Sequence, residues 1–244
     1  MKEDLLYHQV SDRLKSIEKH LCAYSKNGKP KHLHLLRLDI KVVKALFSFA
    51  EDIYNETYSV IALKAVFQKS GEIRDIQIIS SSKHLPRKLI CELKKKEIFL
   101  MKLLQKDIPK YIKTIESFRK EVTFPKALSD KEIIKAYFEK EMMKANQDFQ
   151  NQDREGLHQF RKSIKKLMFV YNVLPKKIRK EIDLDEQYIN KLQEKVGNWH
   201  DTYSSIEFLS YQYLKQKPIE YISKLKQKEI KQFNALFTNG GSAK

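Results

Sequence analysis

The sequence predicts an all-α protein built from two four-helix units, about eight helices in total. Three observations carry this reading. Only six Gly and six Pro occur among 244 residues, too few for a turn-rich sandwich or barrel. Apolar residues recur at helical spacing along almost the whole chain. Two short patterns also occur twice, the copies separated by nearly the same number of residues.

Leu5, Val10, Leu14, Ile17 and Leu21 mark one face of a first helix, which stops near Gly28 and Pro30. A second helix, from about residue 32 to 54, places Leu33, Leu36, Ile40, Val43 and Phe47 on its core face. A third spans 57–81 and ends in the cluster Ser80, Ser81 and Ser82. Its stretches 58–63 and 76–79 are β-branched enough to suggest a strand, but their flanks are charged and helical in pattern, so both are assigned to the helix. Pro86 falls in the first turn of a fourth helix that continues to Glu121. Phe124-Pro125 and then Ser129-Asp130 mark the break between units. Ser129 or Asp130 can cap the next helix, with Glu132 in its acidic first turn. Helices are then expected at 130–152, 154–173, 184–214 and 217–237, with Pro175 and Pro218 near breaks. The organisation is thus a first unit 1–122, a connector 123–129, a second unit 130–238 and a flexible tail 239–244.

The 48 basic and 31 acidic residues leave a net charge of +17. Residues 1–122 contribute +10 and residues 123–244 contribute +7, so the excess belongs to the body of both units and not to a tail. Such a charge points to a polyanion: nucleic acid, an anionic membrane or an inorganic polymer. Cys22 and Cys91 are too few for a disulfide framework and suit a reducing compartment. The acidic start Met1-Lys2-Glu3-Asp4 is unlike a signal peptide, and no apolar run approaches a membrane span. A cytoplasmic protein without a membrane partner is expected.

The first repeated pattern is His-x2-Arg-x3-Lys, at His34, Arg37 and Lys41 and again at His158, Arg161 and Lys165, an offset of 124. The second is Gly-x3-Asp, at Gly71 and Asp75 and again at Gly197 and Asp201, an offset of 126. On a helix, positions i, i+3 and i+7 share a face, so His34, Arg37, Lys41 and Lys44 form one cationic stripe about 15 Å long. The apolar stripe occupies the preceding positions, which puts the cations about 100° round the helix, on its shoulder. The second copy repeats this with His158, Arg161 and Lys165 beside Leu157, Phe160, Ile164 and Leu167. Met168 stands where Lys44 would be, and Lys162 and Lys166 compensate from one step further round. Few acidic residues interrupt either stripe, unlike a salt-bridged surface helix.

These residues resemble the CHAD family, the conserved-histidine α-helical domain. Its duplicated His-x2-Arg-x3-Lys/Arg helix is followed each time by a helix carrying a Leu-Gly-x2-Arg/Asn-Asp pattern. The chain reads Ser70-Gly71-Glu72-Ile73-Arg74-Asp75 in the first copy and Val196-Gly197-Asn198-Trp199-His200-Asp201 in the second. The resemblance covers essentially the whole chain. It implies two pseudo-symmetric four-helix bundles whose basic helices line a central cleft or pore, and the binding of inorganic polyphosphate. It also implies a separate CYTH-type triphosphate-tunnel protein as a partner, because no such domain fits in this chain. Polyphosphate would be held by His34, Arg37, Lys41, Lys44, His158, Arg161, Lys162, Lys165 and Lys166. Asp75 and Asp201, with their neighbours Arg74 and His200, are expected to orient those side chains.

Other chemistries have less support. His32 and His34 point to opposite sides of a helix, and neither repeated His has another at i+3 or i+4, so no metal site and no cofactor are expected. No P-loop and no nucleophile–base pair at useful spacing are present, so no enzyme is expected. The alternatives are a nucleic-acid-binding helical scaffold or one that binds an acidic protein segment. Nucleic-acid readers interleave exposed aromatics with cations, whereas Phe47, Phe160 and Tyr171 fall on the core stripes here.

Overall fold

Gly28 adopts φ +61°, a left-handed backbone that costs glycine little, and so turns the chain between α1 (Leu5–Asn27) and α2 (Pro30–Tyr54). Pro30 then opens α2, where its missing N–H breaks no helical bond. The remaining helices are α3 (Lys64–Ser80), α4 (Arg87–Glu121), α5 (Lys131–Gln150), α6 (Arg154–Val173), α7 (Lys176–Arg179), α8 (Glu186–Gln212) and α9 (Ile219–Phe237). The computed structural model describes residues 5–81, 85–212 and 219–238, and no strand occurs among them. Ser82, Pro218 and the predicted tail 239–244 lie outside the described residues. Among those described, no helix is long and apolar enough to cross a membrane.

The expected third helix begins late. Asn55 takes φ 53° and ends α2, residues 56–60 are not helical, and a single 3-10 turn, Ile61–Leu63, precedes α3. Tertiary contacts hold this segment out of the helix. The Tyr58 ring lies 5.7 Å from Phe47 and 5.0 Å from Phe124, and its backbone N–H donates to Glu51 at 3.2 Å. The β-branched stretch 76–79 is helical, as expected. The break after Pro175 holds the one-turn helix α7, which the apolar spacing does not announce.

The chain forms two compact units, 5–81 with 90–137 and 85–89 with 138–238 among the described residues. The division falls inside α5 and not in the connector 123–129. Tyr137 packs edge-on against Phe49 of α2 at 4.9 Å, whereas Phe138 lies 6.3 Å from Tyr171 of α6.

In the first unit α2 packs along α1, and Leu33, Leu36, Ile40 and Val43 are wholly buried. At about 1.5–3 kcal/mol each, these four side chains alone favour the observed rotation of α2 by roughly 6–12 kcal/mol. Asp39 is also buried, and Arg13 donates to it at 2.9 Å from α1. The one carboxylate between Lys31 and Ala50 is thus turned away from the cationic stripe.

In the second unit Leu157, Phe160, Ile164 and Leu167 of α6 are buried in the same way. A polar staple joins three helices. Trp199 of α8 donates its indole N–H to Glu229 of α9 at 2.7 Å, and Arg154 of α6 donates to both carboxylate oxygens at 2.9 Å. Burial pushes the Glu229 carboxyl up, but the bonds from Arg154 and Trp199 outweigh it and hold the group below its ordinary value. Replacing Glu229 with Ala strands the buried indole N–H and should lower stability by about 3 kcal/mol at pH 7. The Glu229 contribution is complete above its unfolded value of 4.5 and is lost as pH falls through the depressed folded value. Denaturant unfolding should therefore show the gap between wild type and variant closing in acid.

Candidate polyanion-binding faces

In the first unit the cationic shoulder of α2 meets α3. Phe67, Gly71 and Asp75 follow one another at four-residue spacing and so share a face of α3. Arg37 donates from Nη1 to the Phe67 carbonyl, and its guanidinium carbon lies 4.2 Å from the centre of the Phe67 ring. The Lys44 ammonium sits over the same ring at 4.3 Å. Gly71 makes this seat: a Cβ there would come within 2.5 Å of Arg37 Nη1 and 3.1 Å of Cζ. Arg37 and Lys44 are half-buried, while His34 and Lys41 are exposed. Burial draws the Arg37 pKa down, Asp75 opposes this, and Arg74 adds to it. Burial also draws Lys44 down, reinforced by Arg37 and Lys64. Asp75 is solvent-accessible but crowded by surrounding protein; the crowding raises its carboxyl, and Arg37, Lys41 and Arg74 pull the other way.

In the second unit α6 meets α8. The imidazoles of His158 and His200 stack with centroids 5.1 Å apart and planes within 17°. They border an open groove of about 270 Å³ that also reaches Tyr203 and Ser204. His200 Nδ1 lies 3.8 Å from Asp201, and this proximity, with Arg161 and Lys165 near by, holds the Asp201 carboxyl below its ordinary value. Burial draws down the pKa of both Arg161 and Lys165, with Asp201 opposing. Burial likewise lowers His158, helped by His200 and Lys162, so its imidazole is neutral at pH 7. Among the described residues no group of three His, Cys, Asp or Glu could hold a metal ion.

The two seams keep the repeated Arg, Lys, Gly and Asp but differ around them. At the offset of 126 Gln193 replaces Phe67, and at the offset of 124 Met168 replaces Lys44. The pair changes together: with no ring to carry an ammonium, a buried thioether takes the lysine's place. A Cβ on Gly197, unlike one on Gly71, would meet nothing within 4 Å. Lys162 is exposed and donates to Gln159 at 2.9 Å, while Lys166 pairs with the buried Glu141 of α5. The repeated letters do not reveal Phe67, Gln193 or Glu141; only the four-residue spacing through Gly71 and Gly197 points to the first two.

No family model matches the chain, and no curated protein matches it. A solved structure does: the crystal structure of the CHAD domain from the plant Ricinus communis, with a TM-score of 0.72. The match covers 98% of this chain and 89% of that one at 13% sequence identity. The fold is that of a CHAD domain. The all-α class expected from the sequence is therefore the observed one, and the two His-x2-Arg-x3-Lys helices of this CHAD fold are α2 and α6.

The two glycines should respond oppositely to alanine. Gly71→Ala displaces Arg37 from its carbonyl and ring, and should lower stability by about 2 kcal/mol or more. Gly197→Ala fills open space in a helix and should be neutral or stabilising by up to about 1 kcal/mol. Thermal melts of the two variants test this.

Proposed function

We propose that the chain binds inorganic polyphosphate without turning it over, through the cationic faces of α2 and α6. The observation that carries this reading is the treatment of the repeated cations. Arg37, Lys44, Arg161 and Lys165 are each drawn out of water, and burial disfavours their charged forms. Ordinary surface cations keep their hydration. Cations held part-dry regain their lost stabilisation when an anion arrives, and arginine can meet phosphate oxygens in a bidentate fashion. A long linear polyanion also multiplies such contacts at little further entropic cost. The resemblance to CHAD domains points to the same ligand, and to a separate CYTH-type protein as the natural partner.

Competition tests the reading. At 0.15 M salt, long-chain polyphosphate should displace duplex DNA, or an acidic peptide, at far lower phosphate or carboxylate concentration than the reverse. DNA prevailing at that salt would reject it in favour of nucleic-acid binding.

Polyphosphate affinity should also rise as pH falls. A bound polyanion favours the imidazolium, so affinity climbs from neutrality and levels off below the depressed value of His158 in the free protein. The charged or titratable groups around that imidazole are Arg154, Glu155, Arg161 and Lys162 on α6, and His200, Tyr203 and Glu207 on α8. His158→Gln should flatten the profile measured by calorimetry between pH 5 and 8.

A further inference from the structure

The two halves use their repeated arginine differently. Arg37 is already engaged: a backbone carbonyl accepts from it, a ring covers it, and Gly71 brings the α3 backbone close beneath it. Arg161 has no such seat. Its Nε is buried with no hydrogen-bond partner, and so is the amide Nε2 of Gln193, the residue that replaces Phe67. Beside them, Gly197 borders open space. Buried donors left without acceptors are unfavourable, and native structures seldom keep them without a reason. Two unpartnered donors fit an oxyanion, which offers only acceptors. Both residues are half-buried, so small side-chain rotations can present these donors to a ligand. Asp201 stays at the solvent rim, its side chain 71% exposed beside His200, where it orients the cations without blocking the groove.

Building on the polyphosphate reading, we propose that the α6–α8 seam is the principal phosphoryl-recognition subsite. Arg161 and Gln193 donate to the oxygens of one phosphoryl group beside Gly197, and Lys165 supplies a further charge. Arg37 contributes to binding less than Arg161 does, because its contacts with the Phe67 carbonyl and ring already meet part of its dehydration and secure α2 to α3. The second unit, though one cation poorer in its stripe, thus carries the stronger binding face.

Inorganic tripolyphosphate, too short to depend on many contacts, is the probe, with binding followed by calorimetry in 50 mM salt. Arg161→Lys keeps the charge but removes the fork, and should weaken binding about tenfold or more. Gln193→Met keeps the shape but removes the donor, and should weaken it about threefold or more. Arg37→Lys should cost less than threefold in affinity while lowering the melting temperature, and the remote exposed control Lys226→Gln should change little. A loss at Arg37 equal to that at Arg161, or full affinity in Gln193→Met, would overturn the subsite. If Arg37→Lys fails to fold, the comparison of Arg161→Lys and Gln193→Met with Lys226→Gln decides. Wild type that binds long-chain polyphosphate but shows no ranking among the variants rejects the subsite alone. Wild type that binds neither ligand rejects the polyphosphate reading beneath it.

Discussion

In α2 and α6 every cation or histidine of the stripe stands one residue after an apolar side chain, as in Leu33-His34, Leu36-Arg37, Leu157-His158 and Phe160-Arg161. This one-residue step is the constraint from which the rest follows. Burying the apolar member sets the rotation of the helix, and the cation then turns by about 100° toward the neighbouring helix. Charge would ordinarily remain in water. Here the apolar burial is worth more than the partial dehydration of Arg37 or Arg161, so the helix accepts it. The neighbour then determines how that dehydration is met. On α3 it is met by a carbonyl, an aromatic ring and a glycine. On α8 it is met chiefly by the charge of Asp201, and two buried donors are left over.

One repeated plan has therefore reached two electrostatic outcomes. In the first unit the cationic helix is locked to its partner by groups that also satisfy it. In the second, the stacked imidazoles of His158 and His200 and the space beside Gly197 leave the seam more open. Lys166, near in sequence, turns away to satisfy Glu141 instead of adding to the stripe. A buried carboxylate without a cation would be far less favourable than a surface lysine without an anion.

The sequence revealed the helices because their apolar spacing is strong, and revealed the core faces of α2 and α6 residue by residue. Its weak points share one cause. The segment 56–60 is held out of the helix by the rings of Phe47 and Phe124, the second of which lies far along the chain. The seat of Arg37 depends on Phe67, which is not part of the repeated motif. The commitment of Lys166 depends on Glu141 in another helix. Each of these is a tertiary contact with no local periodicity to signal it. The division of the units inside α5 is similar, since it rests on adjacent rings, Tyr137 and Phe138, that pack against different helices. Local pattern specified the elements, and partners distant in sequence specified their ends and the state of their charges.

Trp199 is the only tryptophan in the chain, and it is fully buried with its indole N–H on Glu229. It stacks on Tyr203 at 5.4 Å and lies 6.3 Å, edge-on, from His200. Excited near 295 nm, the protein consequently carries a built-in optical probe whose signal comes from the second unit alone. Its emission wavelength reports whether the α6–α8–α9 junction is dry. The unfolding of one half can thus be followed in the native sequence without attaching a label.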